Sequence, residues 1–258
     1  MKHKEMKETP MLRALIFDVD GTLADTESVH LAAFNQAFKE LGLDWSWDEA
    51  LYTELLDISG GKERILHYWK QVKPEVTGLD AQAMQDTINR IHELKTAYYE
   101  AAVNNGEVTL RPGVLALIDE ALAAGLQLAI ATTTSPVNIA ALLRKAMGPA
   151  WRHSFAAIGD ASSAPLKKPH PQVYQQMLEA LQLDPSECLA FEDSGNGLKA
   201  ATLAGLATLI TPTQFTRHHD FGRAMHVVPD LGNTRLADIR NWHQSHWSGE
   251  RLLTVDEQ

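Results

Sequence analysis

From residue 109 onward the chain alternates between short apolar runs and helical patterns. Residues 126–132, 155–158, 187–191 and 207–211 read as strands, and 136–147, 171–181 and 197–204 read as helices between them. The runs are almost continuously apolar, so each strand must be buried on both faces. Such strands separated by helices specify a parallel sheet covered on both sides. One further strand, 14–17, lies far upstream. Between it and the alternating region, residues 25–108 show no strand pattern. Val29, Ala33, Phe34, Ala37, Phe38 and Leu41 recur on one helical face, with Asp25 or Thr26 to cap and Gly42 to end the helix. Residues 48–57, 62–72 and 80–104 also read as helices. The expected architecture is α/β: a doubly wound parallel-sheet core made of residues 11–24 and 109–240, with an all-helical insertion at 25–108. Both crossings are expected to be flexible linkers at the mouth of a site. A short strand at 226–228 and a helix at 236–243 close the edge, and 1–10 and 249–258 read as tails.

Composition narrows the function classes. The formal charge is -10, from 33 acidic and 23 basic residues. No long basic stretch offsets it, which argues against nucleic acid as a partner. No run approaches the length of a membrane span. The lone cysteine, Cys188, sits in an apolar run and reads as buried. The first ten residues are Lys- and Glu-rich without an apolar segment, so neither a signal nor a transit peptide is expected, and the reading is cytoplasmic.

Four strand ends carry reactive groups. The first strand runs into Asp18-Val19-Asp20-Gly21-Thr22. Residues i and i+2 of an extended chain share a face, so the two carboxylates can converge. In an open parallel sheet, ligands bind outside the carboxyl ends of the strands. Two carboxylates there repel unless a cation or a shared proton relieves them. The second strand ends in Thr132-Thr133-Thr134-Ser135, whose hydroxyls can donate to a phosphate oxygen. Lys167-Lys168-Pro169-His170-Pro171 places an ammonium before a helix, a counter-charge for phosphate or a crowded carboxylate. A fourth strand ends in Glu192-Asp193-Ser194-Gly195-Asn196-Gly197, and paired acids suit a hard cation with oxygen ligands. Each has an ordinary alternative: an Asp-rich turn, β-branched strand residues, a solvated lysine pair, acids capping a helix.

Taken in this order, the four stretches resemble the four motifs of the haloacid dehalogenase superfamily of phosphotransferases. The inserted helices resemble its C1 helical cap. Phe191-Glu192-Asp193-Ser194 with Gly197, and Thr26-Glu27 with His30, narrow the resemblance to the β-phosphoglucomutase and CbbY-like subfamily. The resemblance implies that Asp18 is a nucleophile forming an aspartyl phosphate and Asp20 a general acid and base. It implies Mg²⁺ held by Asp18, the backbone carbonyl of Asp20 and Asp193, with Glu192 in an outer position. Thr132 and Lys168 would bind the transferring phosphoryl oxygens, with Thr133 beside them. Thr22 would lie near the acid and base.

On the cap, Glu27 and His30 lie one helical turn apart and would face the sugar; His30 as core filler is the alternative. In Ser59-Gly60-Gly61-Lys62-Glu63-Arg64, glycines open a helix and leave free N–H groups for an anion. Gly61, Lys62 and Arg64 would then hold a second phosphate; an ordinary Gly turn with solvated charges is the alternative. The expected function is a Mg²⁺-dependent hydrolase of a small sugar phosphate, with xylulose 1,5-bisphosphate suggested by the CbbY-like motifs, acting as a monomer. Leu31 replaces the polar or basic residue that many relatives carry, which bears on the substrate more than on the chemistry. A phosphosugar mutase and a non-catalytic sugar-phosphate binding module are the alternatives. A dehalogenase is disfavoured, because that branch needs no second acid and Asp20 is present.

Overall fold

The computed structural model describes residues 9–72 and 81–249. Apart from residues 9, 10 and 249, the tails expected at 1–10 and 249–258 lie outside the described residues, as does the helix start expected at Asp80. Six parallel strands form one sheet: β1 (Ala14–Phe17), β2 (Gln127–Ala131), β3 (Ala157–Gly159), β4 (Cys188–Glu192), β5 (Ala207–Ile210) and β6 (His226–Val227). Their order is β3-β2-β1-β4-β5-β6. The chain moves outward from β1 through β2 to β3, then returns to the other side of β1 for β4. The carboxyl ends of β1 and β4 therefore flank the crevice where the strand order reverses, the place such sheets bind ligands.

The sheet faces differ in side-chain size. Leu15, Phe17, Leu128, Ile130, Leu189 and Phe191 point into one apolar cluster with α5 (Val114–Ala123), α6 (Pro136–Met147) and α9 (Leu236–Ser248). Ala14, Ala129, Ala131, Cys188 and Ala190 face α7 (Gln172–Leu181) and α8 (Gly195–Leu203). The runs are apolar throughout because both faces are buried. Apart from Ile16, the strand side chains on this second face are small, so α7 and α8 can pack close to the sheet. Cys188 is buried, as expected.

Between β1 and β2 come α1 (Glu27–Glu40), α2 (Glu49–Leu55), α3 (Gly61–Val72) and α4 (Ala81–Asn104). Their core is aromatic: Phe34, Phe38, Trp45, Trp47, Tyr52 and Trp69 cluster with Ile65, Ile88 and Ile91. The helix α4 serves two cores, because Tyr99 and Val103 belong to the sheet-side cluster. Phe215, from the loop after β5, packs edge-on against Tyr52 within the helical cluster.

Several boundaries differ from expectation. The helix expected at 236–243 runs on to Ser248, with Trp247 packed on the sheet-side cluster. The third strand begins at Ala157, because Trp151–Ser154 forms a 3-10 turn that sends Phe155 into the core. The fourth strand extends to Glu192, which pairs with Ile210. The helix α8 starts at Gly195 because the Ser194 side chain accepts from the Gly197 N–H and caps it. Instead of running separately, as flexible linkers would, the two crossings are joined. Arg111 N–H donates to the Leu23 carbonyl at 2.8 Å, and Ala24 bridges Leu110. The Arg111 guanidinium also donates to the carbonyls of Gly21, Thr211, Pro212 and Pro229.

The orientation of α5 makes a direct prediction. Ile118 is fully buried and Leu115 is 41% exposed. Ile118→Ala is expected to cost about 2–5 kcal/mol, the range for a buried Ile truncated to Ala. Leu115→Ala is expected to stay within about 0.5 kcal/mol. Denaturant midpoints of the two variants check which face of α5 meets the sheet.

Candidate active site

The end of β1 delivers Asp18 into the crevice, where its N–H is fixed by the Phe191 carbonyl at 3.0 Å. Lys168 reaches it from the segment before α7. The Lys168 ammonium donates to Asp18 at 2.7 Å, to Glu192 at 2.6 Å and to the Ala131 carbonyl at 2.7 Å. One buried cation thus ties together the ends of β1, β2 and β4. Burial disfavours its charge, but Asp18 and Glu192 outweigh that and raise its pKa above the ordinary lysine value. Asp18 is pushed up to about 7, chiefly by burial and by the nearby Glu192, against the pull of Lys168.

Asp20 has different partners. Its carboxylate accepts from the Thr26 hydroxyl at 2.7 Å and lies 3.0 Å from His30 Nε2. Thr26 holds the position before α1, yet its side chain makes no capping bond. The hydroxyl expected to cap the helix is directed to Asp20 instead. Burial opposes the charge on Asp20, but His30, Thr26 and Lys95 outweigh it and hold the carboxyl below the usual range. Two acids two residues apart are thus driven in opposite directions.

Glu192 and Asp193 are both buried. Ser194, not either acid, caps α8, so helix capping does not explain the pair. Glu192 accepts from Lys168 and, at 2.6 Å, from the Tyr174 hydroxyl. A Cβ at Gly197 would lie 1.9 Å from the Glu192 carboxyl carbon, and one at Gly21 would lie 2.3 Å from Asp193. Both glycines are required by a carboxylate pressed against the backbone. Burial, Asp18 and Glu192 raise the Asp193 pKa well above its ordinary value.

One carboxylate oxygen from each of Asp18, Glu192 and Asp193 lies within 4.8 Å of the others. Three carboxyl groups meet the single Lys168 ammonium, so a full set of ionised carboxylates calls for further positive charge. An all-oxygen donor set with that charge fits a hard divalent cation. The Asp20 side chain is turned to Thr26 and His30 and is outside this group.

Thr132 follows β2, is 2% exposed, and lines the same cleft with Thr133. The cleft has a volume of about 510 Å³ and is lined by both the sheet ends and the helical insertion. Glu27 lines it and accepts from the Tyr52 hydroxyl at 2.6 Å. His30 lines it too, stacked on Tyr99 with ring centroids 4.1 Å apart. Gly61, Lys62 and Arg64 form the far edge. The Lys62 ammonium donates to Asn89 at 2.8 Å. Arg64 is not a solvated charge: it is buried, sits over the Tyr52 ring, and donates to Leu55 O, Ile58 O and the Tyr52 hydroxyl. A guanidinium has five N–H donors, so two are left for a ligand.

Thr22 is the expected site residue that does not reach the cleft. It is 2% exposed, and its hydroxyl has no partner among the described residues. The tight turn after Asp20, in which the N–H groups of residues 22–24 fold back on the Val19 carbonyl, turns it inward.

Sequence reasoning missed Lys95. It is 5% exposed, lines the cleft, and lies over the rings of Phe34 and Tyr99. Burial lowers its pKa to about 8, against the pull of Asp20 and Glu27. The signal was present: Ile88, Ile91, Lys95 and Tyr99 share one helical face, and a lysine in an apolar stripe is out of place. His218 and His219, like His243 and His246, gather no set of zinc ligands among the described residues. Trp45, Trp47 and Trp69 pack in the helical core, and Trp151, Trp242 and Trp247 against the sheet side.

Residues 12–205 match the family model described as haloacid dehalogenase-like hydrolase. The chain is 50% identical over 250 residues to the plasmid-encoded protein CbbY of Cupriavidus necator, covering 90% of this chain and 97% of that one. CbbY from Rhodobacter sphaeroides, solved with phosphate, superposes with a TM-score of 0.81 at 42% identity, over 88% of this chain and 99% of that chain. A variant of that protein, solved with xylulose 1,5-bisphosphate, superposes with the same TM-score at 41% identity and the same coverage. With a family model spanning most of its length and a full-length relative at that identity, the chain belongs to the haloacid dehalogenase-like hydrolases.

Proposed function

We propose that this protein is a Mg²⁺-dependent phosphatase that hydrolyses a small sugar phosphate, xylulose 1,5-bisphosphate foremost, through an aspartyl phosphate on Asp18. The observation that carries the reading is the opposite treatment of Asp18 and Asp20. Acids whose surroundings push them apart are suited to different roles. Asp18, against Lys168 and the other two acids, is the nucleophile. Asp20, kept ionised by its own donors, takes the proton from the water that attacks the aspartyl phosphate. In the step before it the same carboxyl, carrying a proton, gives that proton to the leaving sugar oxygen and is left as the carboxylate that Thr26 and His30 stabilise. Thr132 holds an equatorial oxygen of the transferring group, and Lys168, whose N–H groups go to Asp18, Glu192 and the Ala131 carbonyl, offsets its charge. Asp18, Asp193 and the carbonyl of Asp20 would hold Mg²⁺, with Glu192 fixed behind them by Lys168 and Tyr174. When bound, the ion offsets the crowded carboxylate charge and the charge on the phosphoryl group.

We assign residues 11–24 and 109–240 to the catalytic core and 25–108 to a cap that selects the substrate. Glu27 and His30 face the sugar. Gly61, Lys62, the two remaining Arg64 donors and Lys95 receive the phosphate that is not transferred. We read the protein as a cytoplasmic monomer. No helix among the described residues is long and apolar enough to cross a membrane. CbbY, whose variant was solved with the bisphosphate, supports the substrate by similarity. Phosphate release from xylulose 1,5-bisphosphate tests the reading. Glucose 6-phosphate formed from β-glucose 1-phosphate with a trace of 1,6-bisphosphate would mark a mutase instead.

Asp18→Asn is expected to abolish phosphate release while circular dichroism stays unchanged. Asp20→Asn is expected to slow turnover roughly 10²–10⁴-fold, the range of general acid–base catalysis. Chelation should remove activity and Mg²⁺ restore it, with Ca²⁺ a poor substitute because its larger, looser shell disturbs in-line geometry. Full turnover in excess chelator would exclude the metal.

Lys95 sets a pH limit. Its pKa is lowered to about 8, so its positive charge is lost as pH rises through that value. kcat/KM for a sugar bisphosphate is expected to fall along that limb. Lys95→Met should be less active at neutral pH and should lack the limb. Its persistence in the variant would assign it to another group.

A further inference from the structure

Besides the two crossings, Phe215 and the packing of α4 against α6, the inserted helices touch the core at a loop just before α3. Asn196, in the first turn of α8, donates through its side-chain amide to the Asp57 carbonyl at 2.9 Å and to the Ser59 hydroxyl at 3.3 Å. Next to it, Gly195 N–H donates to His219 Nδ1 at 3.1 Å. His219 Nε2 then lies 3.5 Å from the Asp57 carboxylate, an approach rather than a hydrogen bond. The two ends of this bridge matter. Asn196 is three residues past Asp193, and Ser59 immediately precedes Gly60 and Gly61. The α8 end is rigid, since Ser194 caps the helix and Glu192 fills the space beside Gly197. The α3 end is tied too, because the Ile58 carbonyl accepts from Arg64.

We infer that Asn196 is a positioning residue that sets the distance between the phosphoryl-transfer point and the Gly60–Gly61–Lys62 turn, and so selects substrates by length. The inference rests on the reading that this turn receives the phosphate that is not transferred. One side-chain amide bonded to two points of the loop, two residues apart, fixes both its height and its rotation over the crevice. His219 adds less, because Asp57 is 69% exposed and exposed ion pairs contribute little. Its contact with Gly195 instead orders the turn from which Asn196 projects. Nothing in this bridge touches Asp18, Asp20 or Lys168, so its effect falls on where the substrate's far end is held and not on the chemical step.

The test is Asn196→Ala in the full-length protein, with steady-state kinetics on xylulose 1,5-bisphosphate and on para-nitrophenyl phosphate. KM for the bisphosphate is expected to rise about 3–10-fold, the scale of one or two neutral hydrogen bonds, with kcat within about twofold. Para-nitrophenyl phosphate has no second phosphate, and its kcat/KM is expected to stay within about twofold. Amide hydrogen exchange in substrate-free protein is expected to quicken at residues 57–61 and not in the β-strands. An unchanged KM for the bisphosphate, or an equal loss on both substrates, would overturn the inference. If the wild-type protein releases no phosphate from the bisphosphate, the substrate reading fails. The exchange measurement then decides the bridge by itself: faster exchange at 57–61 keeps it, and unchanged exchange removes it.

Discussion

The Lys168 ammonium is the contact on which the site depends. Without it, the buried Asp18 and Glu192 carboxylates would lose the one cation from which both accept. It donates to two of them and to the Ala131 carbonyl, so all three of its N–H groups are used. The ends of β1, β2 and β4 are thereby joined through one nitrogen. A buried charge is tolerated only when paired and hydrogen-bonded, and here each partner makes the others tolerable. The all-oxygen donor set that results is one that fits a hard divalent cation.

Around that contact the fold separates rigid and adjustable parts. The alanine-rich sheet face brings α7 and α8 close, and these helices carry Tyr174 and the Gly197 notch that fix Glu192. The inserted helices are assembled around aromatic rings and joined to the core by the paired crossings, the packing of α4 against α6, Phe215 and the Asn196 bridge. Arg111 gathers carbonyls from the turn after Asp20 and from the segments after β5 and β6. The first crossing is therefore held against the same sheet edge that positions Asp193.

The strand ends were legible because their chemistry is local. An apolar run followed by Asp18-Val19-Asp20-Gly21 announces its place and orientation within a few residues. Lys168, Glu192 and Asp193 follow the same rule, and the helical insertion was evident from the lack of strand alternation. What was not legible depends on partners distant in the chain. Arg64 reads as a phosphate ligand or, alternatively, a solvated charge, and its burial against Tyr52 and the Leu55 carbonyl has no local signal. Thr26 has the composition of a cap, and only the approach of Asp20 redirects its hydroxyl. Thr22 sits inside the motif, but the turn that follows rotates it away from the cleft. Arg111 had no local signal at all. Lys95 had one, in the stripe of Ile88, Ile91 and Tyr99, and it was legible in principle.

The helix α4 has one end in each apolar cluster, and that makes it a lever. Val103 is anchored beside the sheet, and Ala81 is the far end. At 1.5 Å per residue the arm between them is about 33 Å. A tilt of about 10° around Val103 would sweep the far end by about 6 Å but Lys95 by only about 2 Å. The cleft wall that carries the buried ammonium thus sits near the fulcrum. Whatever arc the outer part of the cap describes, the cation is geared down and stays close to the carboxylates of Asp20 and Glu27.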